Sequence, residues 1–229
     1  MTSNIKVIAF DADDTLWVNE PHYRRIEEAF CSMLEDFLPH HSVSSELLKV
    51  EIANIPHYGY GAKSFVLSMI EAAIKVTDGT IGMEIIERII QNGKELIDMP
   101  IEIIDGVRPT LEQLYGQYKL VVATKGDLLD QEKKLEKSGL AHFFHHVEIV
   151  SKKDEAEYRR IIQHLDIRPE NILMIGNSLK SDIIPMLNIG GYGFHVPFHT
   201  TWEYEKIDVK IENERFRQLK GISDVLAYL

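Results

Sequence analysis

The stretch Ile5-Lys6-Val7-Ile8-Ala9-Phe10-Asp11-Ala12-Asp13-Asp14-Thr15-Leu16-Trp17 decides the fold of this chain. Residues 5–10 are mostly apolar and β-branched, the pattern of a buried strand. Asp11, Asp13 and Asp14 follow within four positions. Carboxylates this close make each other harder to ionise. Aspartate is common where strands turn into loops, and the crowding also suits a bound cation.

Runs of the same kind recur at 119–124, 146–150, 171–175 and 191–196. Helical periodicity separates them, over about 107–117, 127–138, 154–166 and 180–189. Strands alternating with helices predict an α/β fold, a three-layer, doubly wound parallel sheet of Rossmann-like form. From about 20 to 100 the rhythm changes. Apolar residues recur at helical spacing, as in Ile26, Phe30 and Leu34, or Phe65, Met69 and Ala73. A helical insert is therefore expected over 17–102, between the two parts of an α/β core, 1–16 and 103–229. Ile207-Asp208-Val209-Lys210-Ile211 is a candidate edge strand, followed by a helix to Leu229.

Ligands of open parallel sheets bind beyond the carboxyl ends of the strands. After the first strand come Asp11 and Asp13; after the second, Thr124, Lys125 and Gly126. Lys152 and Lys153 follow the third, and Asn177, Ser178 and Asp182 the fourth. Mg²⁺ takes hard oxygen ligands and keeps waters and phosphate oxygens. Asp11, Asn177 and Asp182 offer such oxygens. A carboxylate also serves as a covalent nucleophile toward phosphorus, and a second one two residues on as general acid and base. Thr124 and a lysine suit the phosphoryl oxygens.

The net charge of −11 argues against a nucleic-acid surface and disfavours anionic membranes. No apolar run reaches membrane-spanning length, and the N-terminus lacks a signal pattern, so a cytoplasmic protein is expected. A single cysteine, Cys31, leaves no internal disulfide and is assigned to packing. His142-Phe-Phe-His145-His146 lacks a partner set with metal spacing. The charged runs 132–137 and 203–206 are assigned to solvated helix faces. In 56–63, Gly59 and Gly61 permit a loop, from which Tyr58, Tyr60 and Lys63 are candidates for substrate contact.

Asp11-Ala-Asp13-Asp14-Thr15-Leu16 resembles the first motif of the haloacid dehalogenase superfamily. Thr124 resembles the second, and Lys153-Asp-Glu-Ala-Glu-Tyr158 the third. Gly176-Asn177-Ser178-Leu179-Lys180-Ser181-Asp182 resembles the fourth. The resemblance implies Asp11 as nucleophile and metal ligand, and Asp13 as general acid and base, ligating through its backbone carbonyl. It implies Thr124 and Lys153 as phosphoryl holders, and Asn177 and Asp182 as the remaining Mg²⁺ ligands. Lys153 is preferred to Lys152 on its spacing to Tyr158. Lys125 is assigned to the substrate side or to solvent. Phosphatase members carry an acid at the position of Asp13, whereas dehalogenating members usually lack one. The resemblance thus implies hydrolysis of a small phosphorylated metabolite, with 1–16 and 103–229 as the catalytic core and the insert 17–102 as an α-helical cap domain that selects substrate. A phosphomutase, a dehalogenase and a non-catalytic phospho-ligand regulator stay open. Asn177 departs from the common Asp; its amide oxygen brings no charge, and weaker metal binding is expected.

Overall fold

Val7–Phe10 forms strand β1, and every one of its residues is buried. A strand covered on both sides alternates between two cores. Val7 and Ala9 join a cluster with Val121, Met174, Tyr158 and Ile161. Ile8 and Phe10 join another with Leu111, Leu120, Val122 and Leu173. The computed structural model describes Thr2 and residues 4–229.

Helices α1 (Glu20–Met33), α2 (His40–Tyr58), α3 (Ala62–Val76) and α4 (Met83–Asp98) follow β1. Then come α5 (Val107–Leu114), β2 (Lys119–Lys125), α6 (Leu128–Ser138), β3 (His146–Val150) and α7 (Glu155–His164). The chain ends with β4 (Ile172–Gly176), α8 (Ile184–Asn188), β5 (Tyr192–His195) and β6 (Phe216–Gln218). The strands form one sheet in the order β3-β2-β1-β4-β5-β6, and every pair is parallel. Residues from α5 and α6 join the core on one face of the sheet, and residues from α7 and α8 the core on the other. The strand order reverses between β1 and β4, which is where such sheets open a crevice at their carboxyl ends.

Two compact units result. One holds the residues up to Glu20, Ile101–Lys125 and Gln131–Leu229; the other holds Pro21–Pro100 and Gly126–Asp130. The first unit keeps 17–20 because Trp17 bridges Ile103 and the Val18 amide bonds the Glu102 carbonyl at 2.9 Å. The helical unit has its own core around Phe30, Cys31, Leu47, Met69 and Ile89. Gly93 of α4 lets α3 approach closely, since a Cβ there would strike Val66. Buried Asn54 of α2 donates to the Ser68 hydroxyl of α3 at 3.1 Å. Among the described residues no helix is long and apolar enough to cross a membrane.

The expected edge strand at 207–211 does not form. The sixth strand is Phe216–Gln218, paired with β5. Alternation alone gives 207–211 no anchor, and Val209 is 47% exposed. The 216–218 segment instead runs into buried Leu219, Ile222 and Val225. The predicted final helix is a run of 3-10 turns over Ile222–Ala227.

Candidate active site

Asp11 leaves β1 at the reversal point, its amide bonded to the Ile175 carbonyl of β4 at 2.9 Å. The chain then turns tightly: the Leu16 amide bonds the Ala12 carbonyl at 2.8 Å, and the Asp14 amide bonds the Trp17 carbonyl at 2.7 Å. Asp14 takes a left-handed φ of 60°. Its carboxyl group accepts from the amides of Asn19 at 2.9 Å and Glu20 at 3.0 Å, capping α1. Burial pushes that carboxyl up to about 8, against the pull of these backbone donors.

Lys153 is the lysine that reaches Asp11; Lys152 is exposed. The Lys153 ammonium is buried between two carboxylates, bonding Asp11 Oδ1 and, at 2.6 Å, Asp182 Oδ1. Burial pulls the ammonium down, but Asp11 and Asp182 outweigh it and its net shift is upward. Burial likewise pushes the Asp11 carboxyl up, helped by Asp182 and Asp13 and opposed by Lys153. Asp154 starts α7 by accepting from the Glu157 amide at 2.9 Å. Buried Tyr158 donates its hydroxyl to the Ser181 carbonyl at 3.1 Å, tying α7 to the loop after β4.

That loop is a π-helical turn, Leu179–Ile183, a form that recurs at functional sites. Asp182 Oδ2 accepts from the Ser178 amide at 3.0 Å. The carboxylate lies so close to Gly176 that an added Cβ would stand 2.7 Å from the Asp182 Cβ. The Thr15 hydroxyl lies 3.2 Å from Asp11 Oδ2 and 3.4 Å from Asn177 Oδ1. One hydroxyl proton cannot serve two oxygens well. Asp11 Oδ2 and Asn177 Oδ1 are therefore weakly satisfied oxygens beside Asp182, a donor set that fits a hard divalent cation such as Mg²⁺.

Asp13 is held by three donors. Trp17 Nε1 lies 2.8 Å and Lys134 Nζ 3.1 Å from its Oδ1, and Gln131 Nε2 lies 2.7 Å from its Oδ2. Thr124, buried at the end of β2, donates its hydroxyl to the Lys125 carbonyl at 3.2 Å. Lys125 is neither solvated nor free: its ammonium bonds the Ser181 hydroxyl at 2.9 Å and Glu205 at 2.6 Å. Glu205 also accepts from Ser178 and Ser181, both at 2.6 Å. Lys180 fixes that segment, bonding the Tyr204 carbonyl at 2.7 Å and lying 3.5 Å over its ring.

Two assignments to solvated faces are corrected here. Lys134 and Glu205 are 14% and 11% exposed at the side chain, because each meets an opposite charge inside the α/β unit. Gln131 and Lys134 stand three apart on α6, so one helical face aims both at Asp13. That spacing was the available signal; Glu205, in a short 3-10 turn remote in sequence, offered none. Tyr60 and Lys63 belong to the helical unit. Lys63 pairs with Asp127 of the same unit at 2.8 Å, with 55% of its side chain exposed.

A family model described as haloacid dehalogenase-like hydrolase matches residues 5–190. The chain belongs to that family. This haloacid dehalogenase-like hydrolase is 39% identical to a family hydrolase from Xanthomonas campestris, whose crystal structure superposes with a TM-score of 0.89. The alignment covers 98% of this chain and 90% of that one. A predicted phosphoglycolate phosphatase from Haemophilus somnus shares the fold at 18% identity, with a TM-score of 0.66, over 99% of this chain and 98% of that one. The glyceraldehyde 3-phosphate phosphatase of Pyrococcus furiosus is 30% identical over 93 residues, 38% of this chain and 39% of that protein. The chain thus aligns with well under half of that curated relative's length.

Proposed function

We propose that this hydrolase is a Mg²⁺-dependent phosphatase that cleaves a small phosphate monoester through an aspartyl-phosphate intermediate. The observation that carries the reading is the pairing of Asp11, joined through Lys153 to Asp182, with a second carboxylate, Asp13, two residues on. Asp11 attacks phosphorus and forms an acyl phosphate while the bond to the leaving alkoxide breaks. Asp13 gives that oxygen a proton, then takes one from the water that attacks the acyl phosphate. Phosphate departs and the Asp11 carboxylate is regenerated. Thr124 and Lys153 hold phosphoryl oxygens, and the buried ammonium neutralises charge that builds on them. Lys134, Gln131 and Trp17 fix the Asp13 side chain. Mg²⁺ would be held by Asp11, the Asp13 backbone carbonyl, Asn177 and Asp182, and supplies Lewis-acid charge neutralisation when bound. Lys125, committed to Glu205, acts by ordering the Ser178–Ser181 turn. The helical unit serves as the cap that selects substrate, through Tyr60 and Lys63.

Release of para-nitrophenol from its phosphate ester, with and without Mg²⁺, tests the reading, followed by a panel of phosphorylated metabolites. Turnover is expected to need Mg²⁺ and to vanish in Asp11→Asn. Full turnover in that variant would remove Asp11 as nucleophile, and intact turnover in Asp13→Ala would remove the acid/base assignment. Asn177 favours one other outcome, phospho-ligand binding without turnover, which would make the chain a regulator.

A further inference from the structure

A second set of ligand-type side chains is shared between β3, at the edge of the sheet, and the end of α7. His146 and Glu148 stand two apart on this strand, so both project to one face. Val150, on the same face, packs with Tyr158 and Ile161 of α7. His164 is the last residue of α7. Nε2 of His146 and Nδ1 of His164 each lie 2.8 Å from the same Glu148 oxygen, Oε1. The two rings meet at 83° with centroids 4.9 Å apart. The three ligand atoms all lie within 4.8 Å of one another.

Glu148 is buried, and its ion-pair partners among the described residues are these two imidazoles. Arg160, a cation on the same helix, is committed to Glu157. Two ring nitrogens thus converge on one oxygen of this buried carboxylate. The other histidines of the 142–146 window are engaged elsewhere. His145 accepts from the Leu120 amide at 3.3 Å, and the His142 ring lies over Phe143 at 4.0 Å. The window holds one of the three side chains; the other two sit two and eighteen residues further on, which its own spacing could not show.

We propose that His146, Glu148 and His164 form a binding site for a divalent transition-metal ion of the Zn²⁺ or Co²⁺ type. Two imidazole nitrogens and one carboxylate oxygen are the donor set such ions take, with water in the open position. Mg²⁺, which wants an all-oxygen octahedron, is not expected there. The His164 ring is 62% exposed, so it can swing outward slightly to admit an ion and leaves the ion an entry path. His146 begins β3, whereas Asp11 and Thr124 sit at the carboxyl ends of their strands. The site lies on the edge strand, separated from β1 by β2, with His146 in register with Val121 and Glu148 with Ala123. Its ion would staple the edge strand to the helix whose amino end carries Lys153.

The test is a Co²⁺ titration of the full chain in excess Mg²⁺, followed by visible absorption and by thermal unfolding. One equivalent of Co²⁺ is expected to bind, and a hundredfold excess over Kd to raise Tm by roughly 5–10 °C. His164→Ala and His146→Ala are each expected to weaken binding by roughly tenfold or more. His164→Ala alone decides the matter if the less exposed His146→Ala fails to fold. The proposal is overturned if no Co²⁺ spectrum develops, if Mg²⁺ displaces the ion, or if affinity is unchanged in His164→Ala.

Discussion

Replacing Glu205 by Gln tests whether a residue outside every motif holds the site together. Its carboxylate takes hydrogen bonds from Lys125, Ser178 and Ser181, each at 2.6 Å. Burial pushes the Glu205 carboxyl up, but Lys125 and the two serine hydroxyls outweigh it and bring it from 4.5 down to about 2. At about 1.4 kcal/mol per pH unit, this corresponds to roughly 3 kcal/mol of folding stability. Gln keeps the shape but sets an uncharged amide against a lysine that is 16% exposed, and leaving one member of a buried pair uncompensated costs about 3–5 kcal/mol. Both routes give a loss near 3 kcal/mol at pH 7, or a fall in Tm of about 6–12 °C for a chain of this size. The sign in pH follows from a depressed carboxyl. The contribution is complete above the unfolded value of 4.5 and disappears as pH falls through about 2. Urea unfolding of both proteins is therefore expected to show a gap of about 3 kcal/mol at neutral pH, shrinking to about 1.5 kcal/mol near pH 3. A gap below about 1 kcal/mol at neutral pH, or one that does not narrow in acid, would refute the reasoning.

Gly176→Ala brings a methyl group against the Asp182 Cβ; it is expected to cost about 1–3 kcal/mol and to weaken Mg²⁺ activation, read by urea unfolding and a Mg²⁺ titration of turnover. Lys153→Met leaves Asp11 and Asp182 buried without their cation, at a cost of about 3–5 kcal/mol. Added Mg²⁺ is expected to restore part of the lost Tm in that variant while turnover stays absent. Asn177→Asp is expected to lower the half-saturating Mg²⁺ concentration by roughly tenfold, by adding a charged oxygen ligand; an unchanged value would place residue 177 outside the metal's ligand set.

Much of the α/β layout was legible because a strand buried on both faces leaves an unbroken apolar run, as in Val7–Phe10 and Ile172–Gly176. Helical spacing marked the insert, with Ile26, Phe30 and Leu34 all buried as that period requires. Motif residues were legible because the strand ends deliver Asp11, Thr124 and Asn177 to one edge. What failed depends on tertiary partners. Ile207–Ile211 alternates as well as β6 does, and the buried residues beyond Gln218 decide which segment pairs. Lys134 and Glu205 look like ordinary surface charges until the fold sets Asp13 and Lys125 opposite them. The proposed His146 site would be hidden from sequence for the same reason, since its three side chains come from a strand and the far end of the next helix.

The charge around the site gives Asn177 a physical reason. Asp11, Asp13, Asp182 and Glu205 face three buried or half-buried ammonium groups, Lys153, Lys134 and Lys125, and each of these is already committed. An aspartate at 177 would stand beside Ser178, which Glu205 holds, and across the Thr15 hydroxyl from Asp11. No further lysine or arginine is paired with these carboxylates among the described residues. A further carboxylate would therefore add to the repulsion from Asp182 and Asp13 that, together with burial, already pushes the Asp11 carboxyl up. Asparagine supplies the oxygen without the charge. On this argument Asn177→Asp moves two readouts in opposite directions: the metal-free protein loses stability while the Mg²⁺-loaded protein gains affinity. A substitution that changed both in the same direction would show that repulsion among the carboxylates is not what the amide relieves.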